Sequence, residues 1–244
     1  MQASINTAVY LNEVQGGQSQ FECLKQLVGQ PIDNIEVRGE LFDRASRDKE
    51  LFMIQTLCTS QNWGFYFSIP TQLFDQGQLN PEFAEYVDLA KQYHMAGLKI
   101  SLGDAAGFDL HTAATLHRLL VDYQGQVTVE NQPNAFSKLP AFAETVKALL
   151  EAVPELGYTF DSGNWYWIDE PSAKAFASLK SVTTIFHLKD ILNQDTVMLG
   201  EGQTDWAAMV NALDEHVPVF LEYAITPDQV LTELAKVNAV LAKR

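Results

Sequence analysis

The sequence has little cysteine and no long apolar run. Its 244 residues include two cysteines, Cys23 and Cys58, which cannot supply a disulfide framework or a four-cysteine metal site. Both lie among apolar residues of predicted helices, so we expect two buried thiols. No stretch approaches the roughly 20 apolar residues that a membrane helix requires. The first residues show neither a basic start nor an apolar signal core, so we expect a cytoplasmic protein.

Basic residues are also scarce. The chain has 16 Lys and Arg against 31 Asp and Glu, a formal net charge of -15. A surface of this charge repels nucleic-acid phosphates and anionic lipid headgroups. We therefore expect no nucleic-acid partner and no membrane partner. A negative net charge still permits a local cationic site for a small anion. It also does not decide whether the protein forms a homo-oligomer.

Hydrophobic residues make up 47% of the chain and follow two alternating periods. Strand-like segments alternate with segments in which apolar residues recur at helical spacing, as in Val230, Leu234 and Val237. The alternation repeats eight times, with about 30 residues per repeat. The predicted strands are residues 4–10, 34–38, 64–69, 97–102, 126–130, 157–161, 183–189 and 217–222.

Eight strand–helix units without a linker favour one α/β domain, residues 1–244, with a parallel sheet. A closed (β/α)8 barrel has about 250 residues, whereas a doubly wound sheet commonly has about six strands. We therefore predict a TIM barrel of eight parallel strands with outer helices. The active site of that fold lies at the C-terminal ends of the strands.

Four consecutive predicted strands end in a side chain that can bind a metal. These are Glu130, Asp161, His187 and Glu222. Such a set at one barrel mouth gives mixed oxygen and nitrogen ligation, which suits Mn2+, Mg2+, Co2+ or Zn2+ and leaves positions open for a substrate. Polar residues often mark strand ends, but four in consecutive units argue against coincidence. We predict one divalent metal ion here.

Other polar side chains are candidates for substrate binding. Glu36 and Arg38 share one face of the second strand, so both should point into the barrel, toward a substrate or as a structural ion pair. Lys99 and Lys189 could meet the hydroxyl groups or phosphate of a sugar. Trp165 follows the sixth strand closely, and we interpret it as a wall for the substrate or as a packing residue.

The same strand ends carry a family resemblance. Residues 129–131 (VEN), 160–163 (FDSG), 187–190 (HLKD), 199–206 (LGEGQTDW) and 221–223 (LEY) resemble the xylose isomerase-like sugar phosphate isomerase/epimerase superfamily. The separations of 31, 26 and 35 residues between the four metal-competent side chains resemble those of its ketose 3-epimerases, where Glu, Asp, His and Glu hold one divalent metal. The first half of the chain matches only by its strand–helix rhythm and by residues 35–38.

The resemblance implies a metal-dependent isomerase or epimerase of a sugar or sugar phosphate. Such an enzyme moves a proton next to a carbonyl through a metal-stabilised enediolate. It also implies that Glu130 and Glu222 act as general base and acid besides binding the metal. Ketose 3-epimerases carry a His and an Arg at substrate-binding positions where this chain has Asn164 and Asn193. We keep Asn164 as a substrate-binding candidate, although the difference leaves the sugar itself open.

Two alternatives remain open. The same metal and acid/base pair could dehydrate an inosose-type cyclic ketone, which would make the protein a lyase. The chain could also be a barrel that binds a sugar without turning it over, because asparagines replace expected substrate contacts. The endonuclease branch of the superfamily uses additional histidines on earlier strands. Ser68 and Ser101 stand at those strand ends and disfavour that activity.

Overall fold

Eight parallel strands close into a ring in the computed structural model, which describes residues 1–244. In chain order the strands are β1 (Ser4–Asn6), β2 (Asn34–Arg38), β3 (Gly64–Asp75), β4 (Gln78–Leu79), β5 (Gly97–Gly103), β6 (Gln126–Glu130), β7 (Leu156–Asp161), β8 (Thr183–Leu188), β9 (Asp190–Leu192), β10 (Asp195–Val197) and β11 (Val219–Leu221). The hydrogen-bonded order is β2-β1-β11-β8-β7-β6-β5-β3, and pairing of β2 with β3 closes the ring. The predicted TIM barrel is therefore confirmed.

Helices alternate with the barrel strands and pack around the ring. Each longer helix buries one apolar stripe, as the helix Phe83–Gln92 does with Phe83, Val87 and Ala90. None of the helices is both long and apolar enough to cross a membrane. The helices are α1 (Leu11–Gln15), α2 (Gln20–Leu24), α3 (Arg47–Gln61), α4 (Phe83–Gln92), α5 (Leu110–Leu120), α6 (Ala141–Ala152), α7 (Ser172–Leu179), α8 (Trp206–Asn211) and α9 (Val230–Leu241).

Six strands differ from their predicted bounds. Three of them differ by one residue, β11 is three residues shorter than residues 217–222, and β1 and β3 differ most. Residues 4–10 read as one strand, but β1 ends at Asn6 because the Asn6 side chain accepts the Ala8 amide hydrogen at 2.8 Å and turns the chain into a 3-10 helix. In contrast, β3 continues beyond Pro70 to Asp75. Its register shifts between Ser68 and Gln72, which is where a strand can accommodate a proline. The extension pairs antiparallel with β4 at the barrel mouth.

Alternation along the strands separates two apolar regions. Residues such as Ile35 and Val37 face outward and belong to a core cluster of 60 buried residues between ring and helices. A smaller cluster of Tyr66, Ile185 and Phe220 is separate from it. Ile185 and Phe220 precede His187 and Glu222 by two residues and therefore share their inward face. Apolar side chains thus fill the barrel interior beneath the polar mouth.

Candidate metal centre

The four residues predicted to bind a metal meet at the C-terminal mouth of the barrel. Glu130 ends β6, Asp161 ends β7, His187 lies near the end of β8, and Glu222 follows β11. Parallel pairing sets Asp161 beside His187. One potential ligand atom of each residue lies within 4.8 Å of the others, and all four residues are buried.

The spacing of these atoms fits a divalent ion. His187 Nδ1 lies 2.9 Å from Glu130 Oε1 and 3.0 Å from Glu222 Oε2. Two ligands at right angles around an ion, with bonds of about 2.1 Å, are themselves about 3.0 Å apart. Glu130 Oε1 is buried and has no hydrogen-bond partner. Three carboxylates and one imidazole are a suitable donor set for such an ion.

Asp161 is held in place by backbone and amide groups. Its Oδ1 accepts the amide hydrogens of Gly163 at 2.8 Å and Asn164 at 2.9 Å. The side chain of Asn131 accepts the Asp161 amide hydrogen at 3.0 Å and donates to the Asp161 carbonyl at 3.2 Å. Sequence reasoning missed Asn131, although an amide directly after Glu130 was an available signal.

Three cationic side chains reach the same carboxylates. The ion pairs join Lys99 Nζ to Glu130 Oε2 at 2.8 Å, Arg38 Nη1 to Glu222 Oε1 at 2.8 Å, and Lys189 Nζ to Asp161 Oδ2 at 2.6 Å and Glu222 Oε2 at 3.0 Å. Buried carboxylates are tolerated only when such charges compensate them. The cations therefore hold the acidic cluster together.

Burial and neighbouring charges move the pKa values of the three acids in different directions. Burial raises the pKa of Glu222, but Lys189, His187 and Lys99 outweigh it and hold that pKa well below its usual range. Burial also opposes ionisation of Glu130, and Lys99 overcomes it, so the Glu130 pKa is lowered. Burial raises the pKa of Asp161 to about 6 despite Lys189. All three are therefore carboxylates at neutral pH.

A pocket of about 520 Å³ opens onto this cluster. Only one of its 15 lining residues is hydrophobic, and no aromatic ring is among them. A ligand would therefore be recognised by hydrogen bonds and charge rather than by stacking. Of the residues predicted to bind substrate, the wall contains Arg38, Lys99, Asn164 and Lys189.

The other two predicted substrate residues lie away from the pocket. Trp165 has no exposed surface and packs between Phe142 and Phe160, with ring centroids 5.7 and 5.8 Å away, so the structure favours its alternative packing role. Glu36 is also fully buried. It precedes Arg38 by two residues on β2 and so lies about 6.6 Å deeper along the strand.

The loop after β8 is tied to Asp190. The Asp190 carboxylate accepts the amide hydrogens of Ile191 at 3.0 Å, Gly200 at 2.9 Å, Gly202 at 3.0 Å and Thr204 at 3.0 Å. A Cβ atom at Gly202 would lie 2.1 Å from Asp190 Oδ1, so the loop needs glycine there. Asp190 thus acts on the loop and not on the pocket.

Solved structures share this architecture. The IolI protein with a bound zinc atom superimposes with a TM-score of 0.74 and 14% identity over 100% of this chain and 99% of that chain. A D-tagatose 3-epimerase-like protein gives 0.70 and 14% over 100% and 97%. The probable 3-DHS dehydratase AsbF from Bacillus anthracis gives 0.68 and 17% over 100% of both chains. At these identities the likeness shows the fold alone.

The sequence itself carries the family relationship. No curated protein sequence matches the chain. A model of the xylose isomerase-like TIM barrel family matches residues 21–238, which include all four potential metal ligands. The chain therefore belongs to the xylose isomerase-like TIM barrel family.

Proposed function

We propose that this protein is a metal-dependent isomerase or epimerase that moves a proton next to the carbonyl of a sugar or sugar phosphate. One observation carries the proposal. Glu130 and Glu222 each place a carboxylate oxygen within 3.0 Å of His187 Nδ1, and both also line the polar pocket. The same two acids can therefore hold a metal and reach a substrate.

Glu130, Asp161, His187 and Glu222 would hold one divalent ion, Mn2+, Mg2+, Co2+ or Zn2+. When bound, such an ion supplies positive charge that polarises a carbonyl and stabilises the negative charge left when a neighbouring C–H proton departs. Asp161 and His187 serve as anchors, because neither lines the pocket.

In this proposal the two glutamates transfer protons on opposite faces of a substrate. Glu130 lies on β6 and Glu222 follows β11, with β7 and β8 between them in the eight-stranded ring. Both are ionised at neutral pH, so either can take a proton from carbon. In an epimerisation one glutamate removes the proton from carbon, and the other takes a proton from solvent and delivers it to the same carbon on the opposite face. Arg38, Lys99 and Lys189 supply N–H donors to hydroxyl or phosphate oxygens.

Dehydration of a cyclic polyol ketone is the second candidate. It begins with the same proton removal but also requires an acid for the departing hydroxyl group. Lys189 lines the pocket, and its ammonium group is 3.0 Å from Glu222 Oε2. This position favours a lyase if the substrate places a hydroxyl group toward Lys189.

Deuterium exchange tests the proposal without knowing the product. The metal-loaded protein would be incubated in D2O with ketoses, ketose phosphates and inososes, and 1H NMR would follow the C–H signal next to the carbonyl. We expect exchange in the parent and a loss of at least about 100-fold in Glu130→Gln and in Glu222→Gln. Glu50→Gln is the matched control, because Glu50 is buried outside the pocket.

Each outcome separates the candidates. An epimeric or isomeric product supports the leading proposal, and a dehydrated product supports the lyase. Saturable sugar binding without exchange in any metal would leave the non-catalytic barrel as the better description. Metal content provides a second readout: we expect about one ion per chain in the parent and loss of the ion in His187→Ala.

A further inference from the structure

Glu36 faces His187 from a direction that no other acid of the cluster shares. Its side chain is fully buried, and its Oε1 lies 3.3 Å from His187 Nε2. The other ring nitrogen, Nδ1, faces Glu130 and Glu222. The two nitrogens of one imidazole therefore have separate surroundings.

Asn6 holds Glu36 in this position. The Asn6 Oδ1 accepts the Ala8 amide hydrogen at 2.8 Å, which fixes the orientation of the amide group. Its Nδ2 therefore points at the acids and donates to Glu36 Oε1 and, at 3.3 Å, to Glu222 Oε1. The turn that ends β1 early thus places one amide between two carboxylates.

Neither of the roles expected from the sequence applies to Glu36. It does not line the pocket, so it is not placed to contact a substrate. Nor does it pair with Arg38, whose guanidinium binds Glu40 and Glu222 instead. Its Oε1 is directed at Asn6 and His187, and its Oε2 has no hydrogen-bond partner.

We infer that Glu36 is a positioning residue that fixes the ring and tautomer of His187 for metal binding. A neutral imidazole carries one N–H and one lone pair, and a metal needs the lone pair. A carboxylate beside Nε2 favours the proton there and leaves the Nδ1 lone pair directed at Glu130 and Glu222. Nε2 makes no hydrogen bond, and Glu36 Oε1 at 3.3 Å is the carboxylate oxygen that faces it, so Glu36 is the residue placed to accept its proton. The inference rests on the proposed metal site.

Zinc affinity, measured by competition with a chromophoric chelator, tests this role without any substrate. Partners of this kind typically contribute 10–100-fold to metal affinity. We expect Zn2+ to bind about 100-fold more weakly to Glu36→Met and about 10-fold more weakly to Glu36→Gln, which retains the acceptor oxygen but not the charge. Glu50→Gln should match the zinc affinity of the parent, because the buried Glu50 side chain bonds to the Phe21 amide and not to a potential metal ligand.

The tautomer can be read directly. In 15N-histidine-labelled, Zn2+-loaded protein, we expect a proton on Nε2 of His187 and zinc on Nδ1. The chain has five histidines, and loss of a signal in His187→Ala identifies the relevant one. This readout also covers Glu36→Gln if Glu36→Met does not fold, because the Nε2 proton should exchange faster with solvent in that variant.

The outcomes are distinguishable. Zinc on Nε2 in the parent, or equal zinc affinity with and without Glu36, overturns this inference while leaving the proposed function intact. A parent that binds no divalent metal overturns both. Weakened binding in both Glu36 variants together with protonated Nε2 in the parent supports the positioning role.

Discussion

Removal of the Lys99 charge should destabilise the metal-free protein strongly. The ammonium group lies 2.8 Å from Glu130 Oε2, and each side chain is 5% exposed. Lys99→Met keeps the length and packing of the side chain but leaves Glu130 buried without its closest cation. Loss of one partner from a buried ion pair costs about 3–5 kcal/mol, so we expect the free energy of unfolding to fall by about that amount.

The assay is urea and thermal unfolding in the presence of a chelator. For a chain of this length about 1 kcal/mol corresponds to about 2–4 °C, so the melting temperature should fall by about 6–20 °C. Because Lys99 lowers the pKa of Glu130, the contribution of the pair is present above the unfolded pKa near 4.5 and is lost as pH falls through the lower folded pKa. The difference between parent and variant should therefore be full at pH 7 and shrink in acid.

Two further variants isolate the charge effect. Lys99→Met combined with Glu130→Gln removes both charges and should recover most of the loss. Lys91→Met removes an exposed lysine from α4 and should stay within about 0.5 kcal/mol of the parent. Divalent metal should stabilise Lys99→Met more than the parent, since the ion replaces the missing positive charge beside Glu130. A loss below about 1 kcal/mol in Lys99→Met, or a double variant as unstable as the single one, would refute the reasoning.

Three other outcomes follow from the packing around the site. Asp190→Ala leaves four backbone amides without an acceptor, each worth about 1–3 kcal/mol when buried, so limited proteolysis should cut within residues 190–204. An uncut loop would contradict the role of Asp190. Burial raises the pKa of the Cys23 thiol to about 11 and of the Cys58 thiol to about 12, so neither should react with a disulfide reagent at pH 8 until the protein unfolds. Trp165→Phe should leave kcat/KM for an identified substrate within about twofold, since its ring touches no pocket surface; a loss beyond about tenfold would restore it to the substrate wall.

The potential metal ligands could be predicted because periodicity marks where strands end. Once eight strands are assigned to a parallel barrel, their C-terminal ends must converge. Glu130, Asp161, His187 and Glu222 follow from that rule without knowledge of any contact. Arg38, Lys99 and Lys189 follow from the inward face of the strands in the same way.

Depth along the barrel axis could not be predicted from alternation. Glu36 and Arg38 have the same facing, but only Arg38 reaches the pocket, because the stagger of β2 against its neighbours sets the height of each residue. The role of Asn6 in ending β1 could not be predicted from alternation either. The apolar residues after it extend the strand pattern, whereas its own side chain ends the strand through a local hydrogen bond. The buried position of Trp165 depends on the path of a loop, which no period describes.

The charges at the mouth determine how the site would respond to a divalent ion. Three cations at the mouth, Arg38, Lys99 and Lys189, face five carboxylates, which leaves two excess formal negative charges while the imidazole of His187 is neutral. The carboxylates are those of Glu36, Glu40, Glu130, Asp161 and Glu222. Burial opposes protonation of His187, but Glu222 and Glu36 outweigh it and raise its pKa well above the usual value. A proton on His187 therefore leaves one excess negative charge, and a divalent ion that displaces this proton brings the local charge to about zero. In the proposed function, this neutralisation removes the repulsion that the acids would otherwise exert on a substrate carbon that becomes negative as its proton leaves.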